Sequence, residues 1–355
     1  MRRILTCLVL AAFLACATAI AEDDDHVMGI WIGKSAAAGW ESRTLVAKIW
    51  GTSKITWDGS VTILDGANTL SANANPENVA SDVLLNALSS GKPAGEGTLT
   101  GAGSDNKATI TGTVKVGGEY AFEAAANDGR MTGQLTKKPA ESVNFQMRRV
   151  SVKSPTIGAP APQGATVLFD GKNLDGWNAM PEKWALVDDG AMEISNPQLA
   201  TKQEFGSAKL HLEFRTPYMP RAGVGSQERG NSGVYVEGRY EVQVLDSFGA
   251  KPADNLCGGI YKIAVPIADA TLPPLTWQTY DIEFHAAKFD ASGKKTQDAE
   301  ITVLHNGVRI HDHLKLPNPT PGGVSDQDAK TGPLLLQHHR NAVRYRNIWM
   351  QPIQD

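Results

Sequence analysis

Along residues 229–246 apolar and polar side chains alternate on both sides of a Glu237-Gly238-Arg239 connection, which predicts a turn, a strand, a tight turn and a second strand. In the second strand Val242, Val244 and Asp246 share one face, and Glu241, Gln243 and Leu245 the other. The same two-residue period recurs at Lys209–Arg215, where Leu210, Leu212 and Phe214 turn inward and leave His211, Glu213 and Arg215 together. It recurs again at Leu334–His339, with Leu334, Leu336 and His338 on one parity and Leu335, Gln337 and His339 on the other. Further strands are expected at 166–169, 184–187, 191–194, 259–263, 278–285, 300–305, 308–316, 332–338 and 343–350, with an Asn306-Gly307 turn joining two of them. So many strands with so little helix call for two sheets burying their apolar faces against each other, a jelly-roll sandwich over 165–353.

The first half is patterned differently. Residues 22–150 are rich in Gly, Ala and Thr and carry short alternating runs at 30–32, 44–50, 54–57, 98–100, 108–116, 120–122 and 145–148, punctuated by hairpin signals such as Asn127-Asp128-Gly129. Glu77–Ser90 is the exception: Val79, Val83, Leu84 and Leu88 sit at helical spacing between Pro76 and Gly91, so one short helix is expected. This half reads as a smaller β-rich accessory domain, which makes the whole chain all-β. Residues 151–164, SVKSPTIGAPAPQG, read as a Pro-rich linker that keeps the two domains from packing as one.

Composition adds the compartment. Arg2 and Arg3 precede an apolar run over 4–17, and Ala19-Ile20-Ala21 provides a small-residue cleavage site, so residues 1–21 read as a secretory signal peptide and the protein as exported, periplasmic or extracellular. Phe13 and Leu14 before Cys16 fit a lipoprotein signal poorly, and no later segment has the ~18 apolar residues of a membrane span. Cys7 and Cys16 belong to the leader, leaving Cys257 alone with no disulfide partner, a buried small hydrophobe rather than a nucleophile. A net charge of −4 and no basic stripe argue against nucleic acid as a partner.

The candidate chemistry lies on the polar strand faces. A carboxylate and an amide two strand steps apart (~7 Å), as at Glu241 and Gln243, can hold neighbouring hydroxyls of a sugar. His211, Glu213, Arg215, Gln337 and His339 supply more of the groups that bind hydroxyls and move protons. The alternative for each face is plain solvation. His311 and His313 alternate along one strand, but two imidazoles without a third ligand make no metal site, and with Lys315 they read as a solvated face.

The C-terminal half resembles the 3-keto-disaccharide hydrolase family. The matching segments run in order: LFDGKNLDGW at 168–177, EFR at 213–215, NSGVY at 231–235, YEVQVLDS at 240–247, CGGIY at 257–261, WQTYDIEF at 277–284, HNGV at 305–308, GPLLLQHH at 332–339 and VRYRNIWM at 343–350. The resemblance implies a concanavalin-like jelly roll related to legume lectins and laminarinases. Laminarinase-like relatives break glycosidic bonds with two carboxylates about 5 Å apart on one strand face, whereas here that face reads Glu241, Gln243, Leu245. The family implies a route that needs no such pair, acting on 3-keto-glycosides or 3-keto-disaccharides. The ketone acidifies the C2 proton, a base removes it, the C1 substituent leaves, and water adds back.

On that reading His339 is the first candidate base, Glu241 the alternative base or the acid, and Arg215 the stabiliser of developing negative charge. Gln243, Gln337, Asn231, Tyr235, Tyr261 and Glu213 bind the sugar, and Arg215, Glu241, Gln243, His339 and Tyr235 or Tyr261 are expected to meet in one concave pocket on an outer sheet face. No cofactor and no metal are called for, and the oligomeric state stays open. His338 and Arg340 stand where relatives commonly carry Asp and Gly, which changes what orients His339 and narrows the opening beside it. A non-catalytic, lectin-like carbohydrate-binding protein is the alternative, with Tyr235, Tyr261 and Trp277 as its aromatic platform. A purely structural envelope protein is a third.

Overall fold

The computed structural model describes residues 26–53, 55–65, 79–90, 93–104, 106–139, 141–178, 185–187, 189–193 and 197–353. The expected signal peptide at 1–21 and the acidic run at 22–25 lie outside the described residues. Among those described, no helix is long and apolar enough to cross a membrane.

Strands β1 (Gly29–Lys34), β2 (Arg43–Gly51) and β3 (Thr56–Asp65) are followed by the two-residue β4 (Val79–Ala80) and helix α1 (Ser81–Ser90). Then come β5 (Gly95–Ser104), β6 (Lys107–Lys115), β7 (Glu119–Asn127), β8 (Arg130–Lys137) and β9 (Glu141–Val150). All but β4 close an antiparallel barrel in chain order, with β9 pairing back onto β1. Alternation explains the closure: Tyr120, Phe122, Ala124 and Ala126 of β7 point into the barrel with Trp31, Trp57, Leu135 and Phe145, and the intervening residues face out. Closure also removes the sheet edges. Strand β8 escapes sequence reading because only Met131 and Leu135 mark its inner face, with Gly133 between them. At the β7–β8 turn Asp128 and Gly129 both adopt positive φ (48° and 70°), the two-residue hairpin geometry that Asn-Asp-Gly signals. Helix α1 begins at Ser81, within the expected span, and buries Leu84 and Leu85.

After β10 (Val152–Lys153), which pairs with β4, the second half supplies β11 (Thr166–Phe169), β12 (Ala185–Val187), β13 (Ala191–Glu193), β14 (Leu199–Phe205) and β15 (Ala208–Arg215). Next are β16 (Ser232–Val236), β17 (Tyr240–Val244), β18 (Gln278–His285), and the short β19 (Lys288–Phe289) and β20 (Lys295–Gln297). The chain ends with β21 (Ala299–His305), β22 (Val308–Leu316), β23 (Gly332–Leu336) and β24 (Arg344–Pro352). A large sheet runs β12-β13-β24-β15-β18-β21-β22, with β11 on β24, and a four-stranded sheet runs β14-β23-β16-β17. Their inner faces meet in one apolar core that contains Leu210, Leu212, Phe214, Ile282 and Tyr345 from the first and Val234, Val242, Val244, Leu334 and Leu336 from the second. This is the expected sandwich.

Several expectations are corrected. Residues 259–263 form a bend instead of a strand, with Ile260 bridging Val242 and Ala264. Strand β14 went unread because a register shift between Ala200 and Glu204 breaks its alternation. His311 is buried with Nε2 2.8 Å from Gly258 O, whereas His313 is exposed at positive φ against Glu300 (2.8 Å), so the two share no solvated face. Irregular β21–β22 register separates them.

Residues 151–164 do not hold the halves apart. Val152 is buried, and Ile30, Val46 and Leu64 of the barrel share the sandwich's apolar cluster. Lys48 pairs with Asp269 (2.8 Å) across the junction. From Ser154 to Gln163 the segment lies as a strap over the outer face of the large sheet. Thr156 Oγ1 donates to Asp281 (2.7 Å), Gly158 N–H donates to Glu213 (2.6 Å), and Ala159 O accepts from Asn347 and Trp349 (3.0 and 3.1 Å). Proline-rich composition specifies an extended chain, and an extended chain can dock on a polar face as readily as it can stay in water.

Candidate functional site

The hairpin β16–β17 places Tyr235 directly opposite Glu241 and Gly233 opposite Gln243. Glu237 and Gly238 turn the chain with positive φ (53° and 64°). Since Val234, Val242 and Val244 enter the core, Tyr235, Glu241 and Gln243 must face outward. Strand β23 adds the next residues: Tyr235 pairs with Leu335, and Gln337 N–H donates to Gly233 O (2.9 Å). The outer face of the small sheet thus gathers Asn231, Tyr235, Glu241, Gln243 and Gln337.

That face is roofed. Glu241 is only 3% exposed, and its own N–H donates to Thr320 Oγ1 at 2.9 Å. Tyr235 donates to Pro321 O (2.9 Å) and accepts from Gln337 Nε2 (3.1 Å), while Gly322 lies so close that a Cβ there would overlap the Tyr235 hydroxyl. At Gly233 a Cβ would overlap Glu241 Oε1, so the carboxylate occupies the space left by the missing side chain. The Gln243 amide sits 3.1 Å from Glu241 Oε1 and 2.7 Å from Ser232 O, and with its nitrogen turned to these two acceptors it donates to both. Asn231 Nδ2 donates to Gln227 O (2.8 Å) and Oε1 (3.2 Å), but Asn231 Oδ1 is buried without a hydrogen-bond partner. Partly exposed Gln227, Asn255, Tyr261 and Gln337 form the rim.

Burial drives the electrostatics. Desolvation raises the Glu241 carboxyl to about 7, and the neighbouring Tyr235 hydroxyl opposes this only in part. Burial, the Glu241 charge and the nearby Tyr261 push the Tyr235 phenol well above its ordinary range, so it stays neutral. A carboxyl that titrates near neutrality beside fixed amide donors is equipped to take or give a proton. Among the described residues no group of three or more His, Cys, Asp or Glu side chains could hold a metal.

Arg215 and Glu213 are elsewhere. They project from β15 away from the core, on the outer face of the large sheet, and the sandwich separates them from Glu241. Arg215 lies over Trp277 (5.2 Å) and 3.5 Å from Asp189, and Trp277 also stacks under Arg346 (4.0 Å). Trp277 therefore provides no platform beside Glu241. The single pocket expected to hold Arg215 with Glu241 and Gln243 is corrected to two separate faces, because alternation orients a side chain relative to its own strand while the sheet it joins is decided by long-range pairing. His339 is exposed beyond the end of β23, two residues after Gln337. Cys257 is buried at the core side, its Sγ 3.2 Å from the Tyr280 hydroxyl, and burial raises its thiol to about 11.

Gln227, Asn255, Thr320 and Gly322 are the residues that sequence reading missed. They come from loops without periodicity, and only Gly233, set between Asn231 and Tyr235, left a local signal. A cavity of about 660 Å³ lies where the barrel meets the sandwich, and none of its lining residues belongs to this face.

The family model described as a 3-keto-alpha-glucoside-1,2-lyase-like domain matches residues 164–351. A crystal structure of a "putative glycosyl hydrolase" from Parabacteroides distasonis is 34% identical, covers 54% of this chain and 85% of its own, and has a TM-score of 0.48. A second from the same organism, described in the same words, is 17% identical, covers 54% and 95%, and has a TM-score of 0.40. No curated protein matches the chain.

Proposed function

Because the chain belongs to the 3-keto-alpha-glucoside-1,2-lyase-like domain family, we propose that it is an exported enzyme that cleaves 3-keto-glycosides, including 3-keto-disaccharides, with Glu241 as the base. The observation that carries this reading is the lone buried carboxyl of Glu241, raised to about 7 and flanked by Tyr235 and Gln243. A retaining glycosidase needs a second carboxylate about 5 Å away, and the neighbouring position on this strand face is an amide.

The ionised Glu241 takes the proton from C2, whose acidity comes from the adjacent ketone, and the C–H electron pair becomes an enolate on the C3 oxygen. The Gln337 amide, on the same face and partly exposed, is the donor suited to that oxygen. Collapse of the enolate forms the C1=C2 bond, restores the ketone and expels the C1 oxygen, which takes a proton as it leaves. His339, exposed two residues beyond Gln337, is suited to supply it. Water then adds at C1, returning to His339 the proton it gave up, while Glu241 returns its own proton to C2, which gives net hydrolysis. Asn231 Oδ1, buried and unpartnered, is placed to accept from a sugar hydroxyl. Arg215 has no role here, since it lies on the far face.

The test compares a glucoside with its 3-keto counterpart in wild type and Glu241→Gln. Turnover of the keto sugar alone, lost in the variant, is expected. Equal turnover of both sugars would indicate ordinary glycosidase chemistry. Tight binding without turnover of either would make the face a lectin-like binding site.

A further inference from the structure

We propose that the cleft between the barrel and the sandwich binds a small organic anion, a carboxylate or phosphate ester of about monosaccharide to disaccharide size. The cleft holds about 660 Å³, within the range of small-molecule sites. Its barrel wall carries Arg130, Arg148 and Arg149, and Asp128 is the one carboxylate among the described residues of the lining. The whole chain has a net charge of −4, so this concentration of guanidinium groups does not follow from composition.

The register makes the point sharper. Arg130 of β8 and Arg148 of β9 are directly opposite each other in an antiparallel pair. Like charges in that relation destabilise a sheet unless something sits between them. Among the described residues neither has a carboxylate within ion-pair distance, although Asp128 is close in sequence. Arg149 is tethered, its Nη1 donating to Met28 O at 3.3 Å and its stem 3.4 Å from where a Gly29 Cβ would be. Planar guanidinium groups match carboxylate and phosphate oxygens two at a time.

The facing wall is Pro273, Pro274, Leu275 and Thr276 of the sandwich. Leu275 is held at positive φ (64°) with its N–H on Thr216 O (2.9 Å), so this wall is fixed and largely apolar, suited to the face of a sugar ring. An anion here would touch both halves of the chain at once. The cleft shares no lining residue with the Glu241 face, and the inference does not depend on the reaction proposed for that residue.

Calorimetric titration of the full chain with glucuronate, glucose 6-phosphate and neutral glucose, at low and high salt, tests it. Saturable binding of at least one of the two anions is expected, with no binding of glucose and weakening at high salt. The carboxylate and phosphate arms show which oxyanion is preferred. The double variant Arg130→Gln/Arg148→Gln should lose affinity by about tenfold or more, while its melting temperature stays level or rises as the opposed charges disappear. Glu241→Gln should bind the anion as wild type does. No saturable binding of either anion overturns the proposal. So does unchanged affinity in the double variant.

Discussion

Glu213 and Glu241 sit mid-strand on the outward faces of the two sheets, both almost inaccessible at 1% and 3% exposure, yet their carboxyls are driven in opposite directions. Burial would raise Glu213 as it raises Glu241. It is outweighed by His211, Asn347, the Gly158 N–H and Arg346, which hold Glu213 at about 2. Arg346 Nε donates at 2.7 Å, Gly158 N–H at 2.6 Å and Asn347 Nδ2 at 3.0 Å. A bulge between His211 and Glu213 in the β15–β24 register turns Asn347, at positive φ, toward them. His211 completes the network: burial lowers its basicity, but Asp281 (2.6 Å) and Glu213 outweigh that and raise it. Glu241 has a phenol and an amide and no cation. A carboxylate whose charge is fully matched is a structural clamp, and one left desolvated beside neutral donors keeps a proton available for chemistry.

The largest expected effect is on turnover. Glu241→Gln should lower the rate on a 3-keto-glucoside by about 10²–10⁴, whereas Glu213→Gln should leave kcat within a fewfold of wild type. Similar losses in both would erase the distinction between the faces. Gly233→Ala sharpens it without touching a titrating group. The new methyl overlaps Glu241 Oε1 and must displace the carboxylate, and a shift of about 1 Å costs roughly 10²-fold in rate. An alanine variant with normal kinetics would mean that the carboxylate's position is immaterial.

Stability should respond in the opposite sense. Glu213→Gln leaves Arg346 and His211 without their shared anion and should cost about 2 kcal/mol. That is less than the ~3–5 of a fully buried pair, because Arg346 is a quarter exposed. The same variant should open residues 151–164 to protease, while in wild type this strap should resist cleavage. Early cutting of the wild-type strap would contradict its docking on Glu213, Asp281 and Asn347.

The pH dependence separates the two glutamates further. Glu241 binds its proton more tightly folded than unfolded, so stability falls as pH rises from about 4.5 to about 7, over the same range in which activity rises. Glu213 is depressed, so its contribution is present above about 4.5 and is lost as pH falls toward about 2. Denaturant titrations across pH should show Glu241→Gln removing the first slope alone and Glu213→Gln the second. His211, raised above 6.5, adds a contribution that is complete below 6.5 and disappears as pH climbs through its folded value. The smallest effect is expected at His339. As an exposed group it should cost less than about tenfold on replacement by alanine, and most for the poorest leaving groups.

What the sequence determined by itself is local in origin. Two-residue alternation assigns Leu210, Leu212 and Phe214 to a core and His211, Glu213 and Arg215 to the opposite side, and likewise divides Val242 and Val244 from Glu241 and Gln243. Asn306-Gly307, with both residues at positive φ, and the Glu237-Gly238 turn follow from the same short-range chemistry. Tertiary structure alone decided that these polar faces lie on opposite sides of the sandwich, because β15 pairs with β18 and β24 while the β16–β17 hairpin joins its sheet through β23, all strands distant in the chain. It also decided what covers each face. Residues 154–163 bring hydrogen-bonding groups to the large sheet, where β24 supplies Arg346 and Asn347 to balance Glu213, while Thr320, Pro321 and Gly322 shield Glu241 from water without bringing a positive charge. Alternation specifies which way a side chain points, but its ionisation depends on the dielectric and the charges it meets there, and Arg346, Gly158 and Thr320, which decide these, lie tens to more than a hundred positions away.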